Sequence, residues 1–341
     1  MAKKIRLLIV DDSIIFRTML SKALNSFSEI EVVATAGDAF EAKEKIIQLK
    51  PDVITLDVEM PKVNGIDFLK QILPEHPIPT IVVTSTPTNA FEAISAGAVE
   101  FIKKPTRIET DAFIAELGKK VIIASNARVR RISAASLKTA APMSLAAIAS
   151  GVRSNKIIAI GASTGGTEAL ASVLENLPQN TPGIIVVQHM PAGFTKMYAD
   201  RLNRVCNMSA REAADGDRVE TGLILVAAGE FHLRLHRDAR GYFISSKRGD
   251  KVSGHCPSVD VMFDSVAEVA KNNAIGIILT GMGADGAQGL LKMKKAGAYT
   301  IGQDKETCVV YGMPMVAFNI GGVMKQAPLQ AIPKLMMDNL K

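Results

Sequence analysis

Short, nearly all-apolar runs alternate with amphipathic stretches along most of this chain. In the first third the apolar runs fall at residues 7–10, 31–35, 53–56, 80–83 and 99–102, with amphipathic stretches at 13–25, 39–49 and 89–96 between them. Runs this uniformly apolar predict strands buried on both faces, and single helices between them predict parallel pairing. The expectation is a flavodoxin-like, doubly wound α/β domain.

The rhythm breaks at 125–155, which is rich in Ala, Ser, Arg and Lys and has no aromatic residue. Its start is expected to extend the last helix of the first domain, and the rest to be a mobile linker. Beyond it the alternation resumes. Strands are predicted at 157–160, 183–187, 223–227, 274–279 and 298–302, and helices at 167–177, 195–206, 259–272 and 286–296. The portion 209–252 is less regular. The alternation in His232-Leu233-Arg234-Leu235 and Tyr242-Phe243-Ile244 predicts a β-hairpin excursion from an otherwise mainly parallel α/β domain. The expected organisation is a domain over 1–122, a basic Ala/Ser-rich linker over 123–154 and a second domain over 155–341.

Composition fits this picture. The chain has 341 residues, 48% hydrophobic, enough for two ordinary cores. No apolar run approaches the roughly 20 residues of a membrane span. Asp11 and Asp12 interrupt the first apolar stretch, so no signal peptide is expected. A cytoplasmic protein without direct membrane insertion is expected. The net charge of +6 is local, because residues 119–156 hold Lys119, Lys120, Arg128, Arg130, Arg131, Lys138, Arg153 and Lys156 and no acid. A charged linker is not a nucleic-acid-binding face, and no nucleic-acid partner is expected. Cys206, Cys256 and Cys308 are far apart and odd in number, which argues against a disulfide framework or structural zinc.

Candidate chemistry gathers at strand ends. Asp11 and Asp12 end the first strand and Asp57 the third. In the order 2-1-3-4-5 those strands are neighbours, and their carboxyl ends meet at the switch point where such sheets bind ligands. Crowded carboxylates there suit Mg²⁺ and a phosphate, with Lys104 as a point charge. Val10-Asp11-Asp12-Ser13, Leu56-Asp57, Met60-Pro61 with Asn64-Gly65, Thr84 and Lys104-Pro105 together resemble a two-component receiver domain. The resemblance implies Asp57 as phosphoacceptor, Asp11, Asp12 and Asp57 around Mg²⁺, Thr84 as switch hydroxyl, Phe101 as switch aromatic and Lys104 as phosphate sensor. It also implies a histidine kinase as phosphodonor.

In the second domain, Gly161-Ala162-Ser163-Thr164-Gly165-Gly166 turns from a strand into a helix. Such a turn suits an exposed serine nucleophile, but it also suits a phosphate cradle. A nucleotide site wants an acid ending the next strand and G-x-G-x-x-G spacing. Here that strand ends in Gln188-His189, and the glycine spacing differs. His189 and Asp285, each at a carboxyl strand end, complete a serine–histidine–aspartate set. The glycine-rich loop around Met282 offers backbone N–H groups to an oxyanion.

With Gln188-His189-Met190-Pro191, Pro257-Ser258-Val259-Asp260 and Leu279-Thr280-Gly281-Met282-Gly283-Ala284-Asp285-Gly286, the domain resembles the chemotaxis response-regulator methylesterases. That resemblance implies Ser163 as nucleophile, His189 as base and Asp285 as its orienting partner, with Thr164 and Met282 on the oxyanion side. It implies hydrolysis of glutamyl methyl esters, and deamidation of glutamines, on methyl-accepting chemoreceptors, with no cofactor for the esterase step. It further implies a receiver that covers the active site until phosphorylated. Where the family commonly has Arg between the His and Pro of its His-x-Pro-Ser-Val-Asp stretch, this chain has Cys256. His76, His232 and His236 have no motif and read as surface or packing residues.

Overall fold

The structure, a computed structural model, describes residues 3–105, 111–129 and 155–340. The chain divides into two compact units, Met1–Ala140 and Ala141–Lys341, whose boundary falls outside the described residues. Most of the expected linker, with Arg130, Arg131, Lys138 and Arg153, lies there too.

In the first unit β1 (Ile5–Val10), β2 (Ile30–Ala36), β3 (Val53–Asp57), β4 (Thr80–Thr84) and β5 (Glu100–Lys103) form one sheet in the order β2-β1-β3-β4-β5. All its pairings are parallel, which gives the expected flavodoxin-like topology. Helices α1 (Ile14–Leu24), α2 (Ala39–Leu49), α3 (Gly65–Ile72), α4 (Pro87–Ser95) and α5 (Asp111–Ala124) connect and flank the strands. Local chemistry sets several starts. The side chains of Ser13, Asp38 and Asn64 accept hydrogen bonds from the first turns of α1, α2 and α3. One expectation needs correcting: α5 ends at Ala124 in a turn closed by Ala127 N–H to Ala124 C=O, so the stretch from Ser125 does not extend it.

The second unit is built on β6 (Ile157–Ala162), β7 (Ile184–Gln188), β8 (Ser209–Glu212), β9 (Leu223–Val226), β12 (Ala274–Ile278), β13 (Tyr299–Gln303) and β14 (Lys325–Ala327). They form a seven-stranded sheet ordered β14-β13-β12-β6-β7-β9-β8, parallel throughout. β10 (Phe231–Asp238) and β11 (Gly241–Arg248) are the expected hairpin and form their own antiparallel sheet. Its Leu233, Leu235 and Ile244 join the core cluster with Met262 and Phe263 of α8 (Val259–Val269). The remaining helices are α6 (Gly166–Leu174), α7 (Phe194–Val205), α9 (Ala287–Lys295), α10 (Met313–Asn319) and α11 (Ile332–Asp338). The helix expected over 259–272 stops at Val269 and continues as a 3₁₀ turn, Lys271–Asn273.

The order of strands in this sheet reverses between β6 and β12. Chain order runs outward from β6 through β7 on one side and from β12 through β14 on the other. A crevice opens at the carboxyl ends of strands at such a point.

Candidate functional site

Ser163 follows β6, the strand at the reversal. His189 follows the neighbouring β7, and the register Ala162↔Gln188 sets the two residues side by side. Asp285 comes from the loop after β12, on the other side of β6. The elbow holding Ser163 is fixed by its backbone: Ser163 N–H donates to Thr280 C=O at 3.0 Å, and Gly166 N–H closes back on Ser163 C=O at 2.7 Å. Gln188 adds a brace. Its side-chain amide donates to Ser163 C=O at 2.9 Å and to His189 C=O at 3.2 Å, tying the two loops together.

Two glycines let the loops approach. A Cβ on Gly281 would come within 2.7 Å of Ser163 Cβ and 2.4 Å of Met313 Sδ. At Gly165 the backbone takes φ +75°, a left-handed conformation costly for residues with a Cβ.

His189 and Asp285 are joined directly, with His189 Nε2 2.7 Å from Asp285 Oδ2. Asp285 also accepts from Ser258 Oγ–H at 2.7 Å, Val259 N–H at 2.8 Å and Asp260 N–H at 3.0 Å. These donors belong to the first turn of α8 and its cap, where the helix dipole favours negative charge. Burial pushes the Asp285 carboxyl up, but its hydrogen bond to His189, the histidine's charge and the α8 donors outweigh it, and the net shift is downward. An ionised Asp285 surrounded by donors can only accept, so the proton of this contact sits on His189 Nε2. In the neutral ring the free lone pair is then on Nδ1, which is buried without a hydrogen-bond partner. No hydrogen bond joins it to Ser163 Oγ. Resting sites often hold such contacts loosely.

Thr164 is buried and Met282 is 41% exposed at the mouth of the Gly281–Gly286 loop. His232, read from sequence as a packing or surface residue, is buried. Its Nδ1 accepts from Ser258 N–H at 3.2 Å, and its Nε2 lies 2.8 Å from Asp250 C=O. It therefore buttresses the residue that holds Asp285. Sequence reasoning gave no role to Gln188, and none to Ser258 beyond its place in a motif. It also missed His255, whose ring stacks on that of His189 with centroids 3.6 Å apart and planes 8° apart.

In the first unit the carboxylates of Asp11, Asp12 and Asp57 offer oxygens within 4.8 Å of one another. Asp11 and Asp57 are buried and Asp12 is exposed. Lys104 Nζ bridges Asp11 at 2.7 Å and Asp57 at 2.6 Å and lies 4.6 Å from the Phe16 ring centroid. Burial, then the Asp11 charge, raises the Asp57 carboxyl above its usual range against the pull of Lys104. Lys104 loses by burial but gains more from its two carboxylates and is raised. A Cβ on Gly65 would meet Asp57 C=O at 2.1 Å, which explains the glycine after Asn64. Thr84 is fully buried, its hydroxyl accepting from Thr86 N–H at 3.2 Å. Phe101 is buried edge-on to Phe91, with centroids 6.0 Å apart. Oxygen ligands at this spacing, one of them solvent-facing, fit a hard divalent cation such as Mg²⁺.

Fold and sites together define the class: a response regulator whose receiver unit accompanies an α/β unit carrying a serine, histidine and aspartate at its switch crevice. Comparison with known proteins makes this particular. Residues 158–336 match the family model described as CheB methylesterase, and residues 7–113 match the response regulator receiver domain. The chain belongs to the CheB methylesterase family. It is 49% identical to a protein-glutamate methylesterase/protein-glutamine glutaminase of Syntrophomonas wolfei, covering 98% of each chain. It is 45% identical to the protein of that name from Salmonella typhimurium, covering 99% of this chain and 97% of the other. The crystal structure of the Thermotoga maritima CheB methylesterase catalytic domain is similar, with a TM-score of 0.53 and 42% identity over 54% of this chain and 97% of that one.

Proposed function

We propose that the second unit hydrolyses glutamyl methyl esters on chemoreceptors, and deamidates their glutamines, through Ser163, His189 and Asp285. The observation that carries this is the His189–Asp285 pair, which leaves the basic Nδ1 unpaired next to the Ser163 elbow. Ser163 Oγ attacks the ester carbonyl carbon as its proton passes to His189 Nδ1. Nε2–H stays with Asp285, whose charge stabilises the imidazolium. The tetrahedral oxyanion lies toward Thr164 and the Met282 backbone. Its collapse expels methanol, which takes the proton from Nδ1. Water, deprotonated at the same nitrogen, then attacks the acyl carbon; the bond to Ser163 Oγ breaks, Oγ takes the proton back from Nδ1, and a glutamate is left. With a glutamine substrate the first leaving group is ammonia.

In the receiver unit, a carboxylate oxygen of Asp57 attacks the phosphorus of a phosphohistidine on a histidine kinase; the phosphorus–nitrogen bond breaks, the kinase histidine leaves, and an aspartyl phosphate remains. Asp11, Asp12 and Asp57 would hold Mg²⁺, which when bound offsets charge repulsion between the carboxylates and the incoming phosphoryl group. Lys104, already on Asp57, pairs with the added phosphate, and Thr84 and Phe101 respond to it. Phosphorylation raises the hydrolysis rate of the second unit. Among the described residues no helix is long and apolar enough to cross a membrane. The enzyme works from the cytoplasm on receptor segments exposed there. The test is methanol release from methylated receptor membranes with and without a small phosphodonor. Phosphodonor-stimulated release that disappears in Ser163→Ala supports the reading, and release that persists in that variant refutes it.

A further inference from the structure

His189 is held at one edge and covered on one face. The edge contact, Nε2 to Asp285, fixes one atom but leaves the ring free to swing about that hydrogen bond. The lone pair of Nδ1 lies in the ring plane, so the plane decides where the basic atom points. The second constraint is the His255 ring, parallel to His189 within 8° at a centroid separation of 3.6 Å.

His255 is itself delivered by a tightly specified turn. Val252 and His255 exchange two backbone hydrogen bonds, each 3.0 Å, around Ser253 and Gly254. Both central residues have positive φ, 53° and 84°. That is the signature of a two-residue primed turn, which fixes the direction of the flanking side chains. The Ser253 hydroxyl is 3.3 Å from Asp260 Oδ2, so the turn is pinned to α8. On the other side of His255, Ser258 is held by both His232 and Asp285. The segment carrying His255 is thus anchored at both ends to the elements that hold the His189 partner.

We propose that His255 is a positioning residue for ester hydrolysis: its ring sets the plane of His189 so that Nδ1 meets the Ser163 hydroxyl. This rests on the serine reading of the second unit. His255 neither touches the reacting bond nor exchanges the transferred proton. It acts through the face of His189.

The experiment measures kcat and KM for methanol release by the full chain on methylated receptor membranes. His255→Ala is expected to lower kcat by roughly 10- to 100-fold, the scale of a misaligned catalytic group, with KM changed less than about twofold. His255→Phe keeps a planar face and restores most of kcat. His255→Leu fills the space without a plane and stays slow. A kcat for the Ala variant within about twofold of wild type, or a Phe variant as slow as Leu, overturns the proposal. Should the Ala variant fail to fold by circular dichroism, the Phe–Leu comparison decides alone. Ser163→Ala measured in parallel separates the two claims. Hydrolysis that survives Ser163→Ala removes the serine reading, whereas hydrolysis lost there but intact in His255→Ala removes only the role of His255.

Discussion

Asp57 and Asp285 occupy corresponding places in two parallel sheets, each at the carboxyl end of a strand beside the point where strand order reverses. Their surroundings differ. Asp57 faces another carboxylate, Asp11, and a bridging Lys104, and its carboxyl is raised. Asp285 faces the first turn of a helix and the Nε2 edge of His189, and its carboxyl is lowered. One site is crowded with negative charge and suits a cation and a phosphoryl group. The other supplies donors in advance and favours a negative charge beside the Nε2 edge of His189. The same residue type at the same topological location is surrounded to suit a phosphoryl group in one unit and a histidine partner in the other. Fold alone would not separate them.

The widest break in this comparison is at Ser163, which has no counterpart in the receiver. Ser163→Ala should lower ester hydrolysis by on the order of 10⁴ or more, while acyl-phosphate labelling of the chain persists. Nearly as large is Asp285→Asn, expected to cost about 10³- to 10⁴-fold in kcat. An amide cannot accept at once from Ser258, Val259, Asp260 and His189, so it leaves donors unmet and frees the wrong histidine tautomer. Steady-state kinetics on methylated receptor checks both. Asp57→Asn sharpens the comparison from the other side. It should abolish acyl-phosphate formation and the response to phosphodonor, while a fluorophosphonate still labels Ser163. Labelling by acetyl phosphate that survives Asp57→Asn would place the phosphoacceptor elsewhere.

Both sites were readable in the sequence to the extent that they sit at strand ends. An all-apolar run such as Ile157-Ile158-Ala159-Ile160 marks its own carboxyl end, and the polar residue that follows is thereby placed. That is why Asp57, Ser163 and His189 could be named. β8 is different: Ser209–Glu212 is a polar edge strand with only Ala210 buried, so nothing in its pattern announces it. The supports of Ser163, His189 and Asp285 were also hidden, for a physical reason. Gln188 reaching the Ser163 carbonyl, His232 bracing the Ser258 backbone and His255 covering His189 are contacts between groups far apart along the chain. Such contacts have no period, and nothing in the local pattern marks them. The glycines are an intermediate case. Gly161 and Gly286 are visible as residues, but their shared reason, a Cβ within 2.2 Å and 2.4 Å of Val259 Cγ1 respectively, needs the packed structure.

The smallest effect tests the sign of the contrast directly, by removing each charge and reading local stability. A lowered carboxyl adds stability that is present above the ordinary carboxylate range and lost as pH falls through the folded value. A raised carboxyl does the reverse: its contribution is present below that range and lost as pH rises through the folded value, so at pH 7 the ionised Asp57 is a net cost. Asp285→Asn should therefore loosen α8 at pH 7, and Asp57→Asn should tighten β1 and β3, where Lys104 keeps Asp11 as its partner at 2.7 Å. Each change should be about 1 kcal/mol, or roughly fivefold in amide hydrogen exchange. The two variants should diverge from wild type in opposite directions at neutral pH and converge toward it in acid, where both native carboxyls are protonated. Exchange measured at pH 7 and again near the acid limit of folding reads both signs in one protein. Equal destabilisation by the two variants at pH 7 would mean that the Lys104 bridge outweighs the burial of Asp57, and the opposition between the two aspartates would fall.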